Sequence, residues 1–382
     1  YPFLLKVPGY NVKAVGLPDA ERDRNLEMLK YIAAETKRRG LHFQLALWTH
    51  AYEFSDSPNV NYTISGLTPD NHVKYCRDAL QTLIETIPDI DGVTLRCHSE
   101  SGIPGGSWEF WRMIYDGVRR ASEKDGKKRD IDIHSKGIDH ELLDIALATG
   151  MPVTVGPKYW AEHQGLPYHQ AMIQAAEWKQ AEPGEPLERQ RRFTRYGYAD
   201  YLREDRRYGV LYRIWPGTQR LLLWGDPALA AGYSRYSHFC DSEGVEWWEP
   251  LTFKGRMGSG MPGTRDAYAD VSLHPEGGSW QKYLYTYRIW GRMLYNPDTP
   301  REVWVRYLES EFGTAARDCE IALGLASRVL LLITTAHTPS CSNNGYWPEI
   351  HTNLPMAGDN EFGRVSPLDP AIFANADEFA DE

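Results

Sequence analysis

The chain has 382 residues, 42% hydrophobic and 25% charged, with 42 Lys plus Arg against 52 Asp plus Glu and a formal charge of −10. That acidic balance speaks against a broad phosphate-tracking nucleic-acid surface, and no apolar run approaches the roughly 20 residues that a membrane-spanning helix needs. Aromatic residues are abundant, with 13 Trp, 23 Tyr and 11 Phe. A flat apolar ring with one polar atom suits stacking on sugars or bases, and the acidic balance favours sugars. Five cysteines, Cys76, Cys97, Cys240, Cys319 and Cys341, are odd in number and widely spaced, without CxxC. They read as buried thiols with at most one bridge and leave the redox compartment open.

Taken in chain order, Tyr1-Pro2-Phe3-Leu4-Leu5-Lys6 reads as a strand entered midway, with no initiator Met and no signal peptide. Residues 20–39 carry Leu26, Leu29, Ile32 and Ala33 at helical spacing and end at Gly40. A strand follows at 41–48, then a helix over 69–86 opened by Thr68-Pro69-Asp70. Strands are predicted at 92–96, 130–134, 152–156, 209–215 and 244–249. Helices are predicted at 107–124, 139–149, 168–180, 198–206 and 227–239. Residues 181–195 are a polar surface excursion. From 279 the pattern is helical only, over 279–295, 300–312 and 314–336, and 337–375 read as loop. The last residues stop where a helical turn would begin, so the sequence reads as a fragment of a longer protein.

Short strands alternating with helices imply parallel strands joined by crossover helices. No strand is followed by GxGxxG or by GxxxxGK with Ser or Thr, so a nucleotide-binding doubly wound sheet is not indicated. The predicted fold is α/β: a (β/α)8 barrel over 1–278 with a helical C-terminal segment, 279–382, packed on it. In this count 41–48 is strand three, 244–249 is strand eight, Tyr1–Lys6 lies near strand two, and the first strand is missing from the chain.

The chemistry gathers just past the strand ends, where a barrel opens its site. Strand four ends Arg96-Cys97-His98-Ser99-Glu100, with Arg96, His98 and Glu100 on one face. Other strand ends supply Trp48 and His50, His134 and Lys136, Lys158, Trp160 and His163, and Arg213 and Trp215, with Trp247 near the last. Cations on four successive strand ends of an acidic protein call for an anionic ligand group, a uronate carboxylate or a sulfate. The tryptophans suit sugar faces. The histidines read as hydrogen-bond donors to hydroxyls, since carboxylate partners are few and neither HxH nor HExxH occurs; no metal or cofactor is implied. GxSxG is absent, which argues against a serine hydrolase. Glycoside hydrolysis needs a second carboxylate beside Glu100. The candidates are Glu249, Asp226, which also stands at the cap position before Pro227, and Glu53.

The helical tail Tyr287-Arg288-Ile289-Trp290-Gly291-Arg292-Met293-Leu294-Tyr295-Asn296-Pro297-Asp298, with Glu302 to Leu308 and Phe312-Gly313 after it, resembles the barrel α-glucuronidases and related glycoside hydrolases. The stretches LALWTHAYE, RCHSESG, HSKGID and PKYWAEHQGLPYH look like barrel hydrolases of polysaccharide-degrading bacteria. The resemblance implies Glu100 as general acid. The leading expectation is a glycoside hydrolase acting on an oligo- or polysaccharide with an anionic sugar. The alternatives are a uronate lyase or isomerase with Lys136, Lys158 or Tyr159 as base, or a non-catalytic sugar-binding barrel. Carbohydrate is the expected partner, with neither nucleic acid nor membrane. A periplasmic or secreted location follows from the substrate class alone, and oligomeric state is open.

Overall fold

The computed structural model describes residues 1–51, 63–157, 201, 205–214, 225–237, 241–247, 270–274, 276–338 and 366–367. The chain is α/β and divides into two compact units. One is Tyr1–Gly156 with Asp205–Gly209; the other is Pro157–Glu204 with Val210–Glu382.

The first unit runs β1 (Lys13–Ala14), α1 (Asp19–Arg38), β2 (Gln44–Leu47), β3 (Ile64–Ser65), α2 (His72–Thr86), β4 (Gly92–Leu95), α3 (Trp108–Asp125), β5 (Asp130–His134), α4 (His140–Leu147) and β6 (Val153–Gly156). β2, β4, β5 and β6 pair in parallel in that order, while β1 and β3 form a separate two-residue antiparallel ladder. The register aligns Leu47, Leu95, Ile133 and Val155 in one row, and Ala46, Thr94, Asp132 and Thr154 in the next. Successive side chains alternate faces, so one face is apolar and the other polar. Val93, Leu95, Ile131, Ile133 and Val155 are fully buried. On the polar face Gln44 Nε2 donates to Thr94 Oγ1 at 2.7 Å. A buried parallel strand is ordinarily apolar on both faces; here the polar row continues upward into the strand-end residues.

Amphipathic helices supply the rest of this core. α2 buries Tyr75, Cys76, Ala79, Leu80, Leu83 and Ile84, and α3 buries Trp111, Ile114, Tyr115 and Val118, both at helical spacing. The two helices meet at Gly117, where an added Cβ would lie 2.7 Å from the Arg77 carbonyl oxygen. Backbone cannot yield as a side-chain tip can, so Gly117→Ala is expected to cost about 1–3 kcal/mol. A lowered urea midpoint at unchanged slope is the readout.

The opposite end of the strands is held by Asp91. Its Oδ2 accepts from Phe43 N at 2.7 Å and Lys37 Nζ at 2.8 Å, and Lys127 Nζ is 2.8 Å from Oδ1. Burial would raise the Asp91 pKa, but the bonds from Lys127, Lys37 and Phe43 N outweigh it and hold the group well below the usual carboxylate range. A depressed folded-state pKa stabilises fully above the unfolded value, about 3.9, and the gain is lost as pH falls toward the folded value. Asp91→Asn should therefore cost about 1.5–3 kcal/mol at pH 7, and denaturation at successively lower pH should show the gap to the parent closing below about pH 4.

In the second unit β7 (Gly209–Ile214) pairs in parallel with β8 (Gly244–Trp247), Leu211 opposite Gly244. Its described α-helices are α5 (Pro227–Ser237), α6 (Leu284–Tyr295), α7 (Glu302–Phe312) and α8 (Ala316–Ala336), and β9 (His337–Thr338) is antiparallel to β10 (Ser366–Pro367). α5 and α6 meet where the Tyr233 and Trp290 rings lie 5.2 Å apart, both fully buried, and Ser234 Oγ donates to Leu294 O. Gly225 N bonds Ser327 Oγ of α8 at 2.8 Å. The helical segment thus packs on α5 and the loop before it. Among the described residues no helix is long and apolar enough to cross a membrane. Cys76 and Cys97 are buried free thiols and Cys319 is a partly exposed one; Cys240 and Cys341 lie outside the described residues.

Several expected elements differ. Tyr1–Lys6 is a turn, with Leu4 N and Leu5 N both donating to Tyr1 O; Pro2 follows Tyr1 and presets φ for that geometry. The helix expected from Pro69 starts at His72. Thr68 O accepts from Asn71 N and His72 N, and Asn71 Oδ1 accepts from Thr68 N, closing a turn first. The helix expected over 198–206 does not include Asp205 and Arg206. The loop expected over 337–375 contributes the strands β9 and β10. The helix at 168–180 and the excursion at 181–195 lie outside the described residues.

Candidate functional site

Past β4 the chain carries Arg96 and His98 on the polar side and buries Cys97 on the other. It then turns through a single 3-10 segment, Ser99–Ser101, that holds Glu100. At the end of β5, His134 is buried and its Nδ1 accepts from Lys136 N at 3.1 Å. Gly137 then takes φ +68°, a left-handed backbone, and a Cβ on it would stand 2.7 Å from His98 Cβ. Glycine is required there on both counts, and it brings the Lys136 turn against the β4 end.

The result is a carboxylate between two cations. Lys136 Nζ bonds Glu100 Oε1, Arg96 Nη2 lies 3.0 Å from Glu100 Oε2, and the Glu100 side chain is 41% exposed. Arg96 Nε donates to His98 Nε2 at 2.7 Å, which makes that nitrogen the acceptor of a neutral ring; His98 Nε2 is also 3.8 Å from Glu100 Oε2. The Arg96 guanidinium lies 3.6 Å from the centroid of the Trp48 ring, within cation–π range. Trp48 Nε1 donates to Glu100 O at 3.1 Å. Burial alone would raise the Glu100 pKa. The Lys136 hydrogen bond and the charges of Lys136 and Arg96 prevail and bring it down to about 2. Glu100 is a carboxylate in this state, and among the described residues Lys136 and Arg96 are the cations that pair it.

The structure thus brings together Trp48, Arg96, His98, Glu100, His134 and Lys136 of the expected site, with the His98 and His134 rings 5.9 Å apart. His50 departs from the expectation of a sugar contact. It is 4% exposed, its ring packs edge-on against Phe110 and Trp111, and burial lowers its pKa to about 3. Its backbone N, with Ala51 N, donates to Ser101 O, so His50 braces the Glu100 turn from behind. Asp226, a candidate second carboxylate, lies in the second unit. Its Oδ1 accepts from Ala228 N at the start of α5, and its Oδ2 is 2.6 Å from Arg328 Nε. It caps a helix and pairs a cation. Lys158, Tyr159, Trp160, His163, Trp215, Glu249 and Glu53 lie outside the described residues, as do the side chains of Arg213 on β7 and Trp247 on β8.

Sequence reasoning missed Gly137 and Ser101. A glycine directly after a strand-end lysine, in HSKG, is the signal that marks the first; nothing local marks Ser101, which acts through its carbonyl. Among the described residues no three His, Cys, Asp or Glu side chains are grouped to hold a metal ion. Neither a protein-family model nor a protein of curated function matches the chain.

Proposed function

We propose that the chain is a (β/α)8-type glycoside hydrolase acting on an oligo- or polysaccharide that carries an anionic sugar, uronate or sulfated, with Glu100 as a reacting carboxylate. One observation carries the reading: Glu100 stands at the C-terminal end of a parallel strand between Arg96 and Lys136, beside an exposed tryptophan. Parallel strands paired in chain order suit a singly wound barrel, and barrel enzymes react at that end. The paired cations suit a sugar carboxylate or sulfate, and Trp48 offers an aromatic plate to a pyranose. As an ionised group Glu100 serves directly as base or nucleophile; as general acid it must gain a proton when the sugar arrives. A partner carboxylate is needed in either case, and Glu249 and Glu53 are its candidates.

For the lyase alternative, Lys136 is engaged as a cation on Glu100 whereas a lyase base must be a free amine, which leaves Lys158 and Tyr159, outside the described residues, as its candidate bases. A glycan panel with product analysis separates the readings. Released reducing sugar supports hydrolysis. An unsaturated, ultraviolet-absorbing product would replace it with elimination. Binding without any product would leave a sugar-binding barrel.

A further inference from the structure

We propose that Glu100 is the resident counter-ion of an anion site, and that a sugar carboxylate or sulfate displaces it from Arg96 and Lys136, so that binding places a proton on Glu100. This rests on the reading of the ligand as an anionic sugar.

The geometry ranks the three groups by exposure. Each carboxylate oxygen of Glu100 takes a different cation, Oε1 the Lys136 ammonium and Oε2 the Arg96 guanidinium. A ligand carboxylate or sulfate presents the same pair of oxygens and can span the same two groups. Arg96 is only 11% exposed and Lys136 22%, against 41% for Glu100. Arg96 is further held by the Trp48 ring and by His98 Nε2, and the Lys136 backbone by His134 and the Gly137 turn. Glu100 sits on one short turn at the rim. An incoming anion therefore meets two less exposed cations and a more exposed carboxylate.

Among the described residues, the charged and titratable groups around Glu100 are Arg96 and His98 from the β4 end and Lys136 and His134 from the β5 end. Trp48 meets it through the Glu100 carbonyl oxygen. Once the ligand anion takes Lys136 and Arg96, Glu100 loses the interactions that keep it ionised, retains its partial burial, and gains a negative neighbour. Each change favours the neutral form. One proton passes from solvent to Glu100, no covalent bond between heavy atoms changes, and the carboxyl so formed is the one a general acid requires. The free protein thus keeps its reacting group ionised, and a ligand of the correct charge arms it.

Calorimetric titration with D-glucuronate, glucose 6-sulfate and glucose, at pH 5 in two buffers of different ionisation enthalpy, tests this. Uptake of a fraction of a proton per site is expected with one or both anions and none with glucose, and the tighter anion names the native group. Glu100→Gln removes the resident competitor. It should melt like the parent, abolish the proton uptake, and bind the favoured anion about tenfold more tightly. Lys136→Met should abolish anion binding. Anion binding without proton uptake, unchanged or weaker binding by Glu100→Gln, or no binding of either anion by parent and variant would each overturn the counter-ion. Release of reducing sugar from the glycan panel alongside any of these failures would leave the hydrolase standing. Proton-coupled binding with no turnover of any glycan would do the reverse.

Discussion

Glu100→Gln is expected to lower turnover by about a hundredfold to ten-thousandfold, the range of a lost acid or base, without unfolding the protein. The amide is isosteric and partly exposed, so the loss lies in chemistry: it neither gives up a proton at the required moment nor accepts one. Lys136→Ala should act on the same group from outside. Lys136 is the principal cause of the low Glu100 pKa, so its removal raises that pKa from about 2 toward the ordinary carboxylate value. A depressed pKa keeps the charged form at every pH above it, so the limb of kcat/KM that Glu100 governs, acidic for a base or nucleophile and alkaline for a general acid, should move upward in Lys136→Ala. Carboxyl chemical shifts followed with pH give the same quantity without turnover. A limb that stays in place would mean that Lys136 does not set the charge of Glu100.

Trp290→Ala is expected to cost about 3–5 kcal/mol, the usual loss for a buried aromatic cut back to a methyl. The ring is fully buried, and its removal leaves the α5–α6 contact with Tyr233 facing a void. A thermal melt that resolves the second unit measures it. An unchanged melt would show that α6 is not a core element. Trp290 lies in the Tyr287–Asp298 stretch, and its surroundings show what it does there: it packs α6 against Tyr233 of α5.

How far the sequence could be read follows from the range of each interaction. β2, β4, β5, β6, β7 and β8 were legible because each is a short β-branched or apolar-alternating segment bounded by turn signals. α4 was legible because Asp139 caps it, with Oδ1 accepting from Leu142 N. The two-residue ladders β1–β3 and β9–β10 are too short to show a period. Tyr1–Lys6 has strand composition, but a local turn competes successfully. The same holds at the site. The i, i+2 spacing along β4 put Arg96 and His98 on one side of the strand with no knowledge of the fold. That Lys136 meets Glu100 depends on parallel register between β4 and β5 and on Gly137 closing against His98, neither of which the strand-end composition contains. His50 shows the limit most plainly. Its position after β2 suggests a mouth residue, and only the packing of α3 reveals that its ring points into the core.

The stacking of Arg96 on Trp48 makes the cluster its own optical reporter. An indole with a guanidinium over one face and its nitrogen tied to the Glu100 carbonyl has an emission that depends on both. When an anion draws on Arg96, the field across that ring changes, and Trp48 should shift its emission without any added label. Thirteen tryptophans emit together, so the signal is read as the difference between the parent and Trp48→Phe on addition of ligand. Occupancy of the cation pair can then be followed on the stopped-flow timescale, before any bond in the sugar is broken.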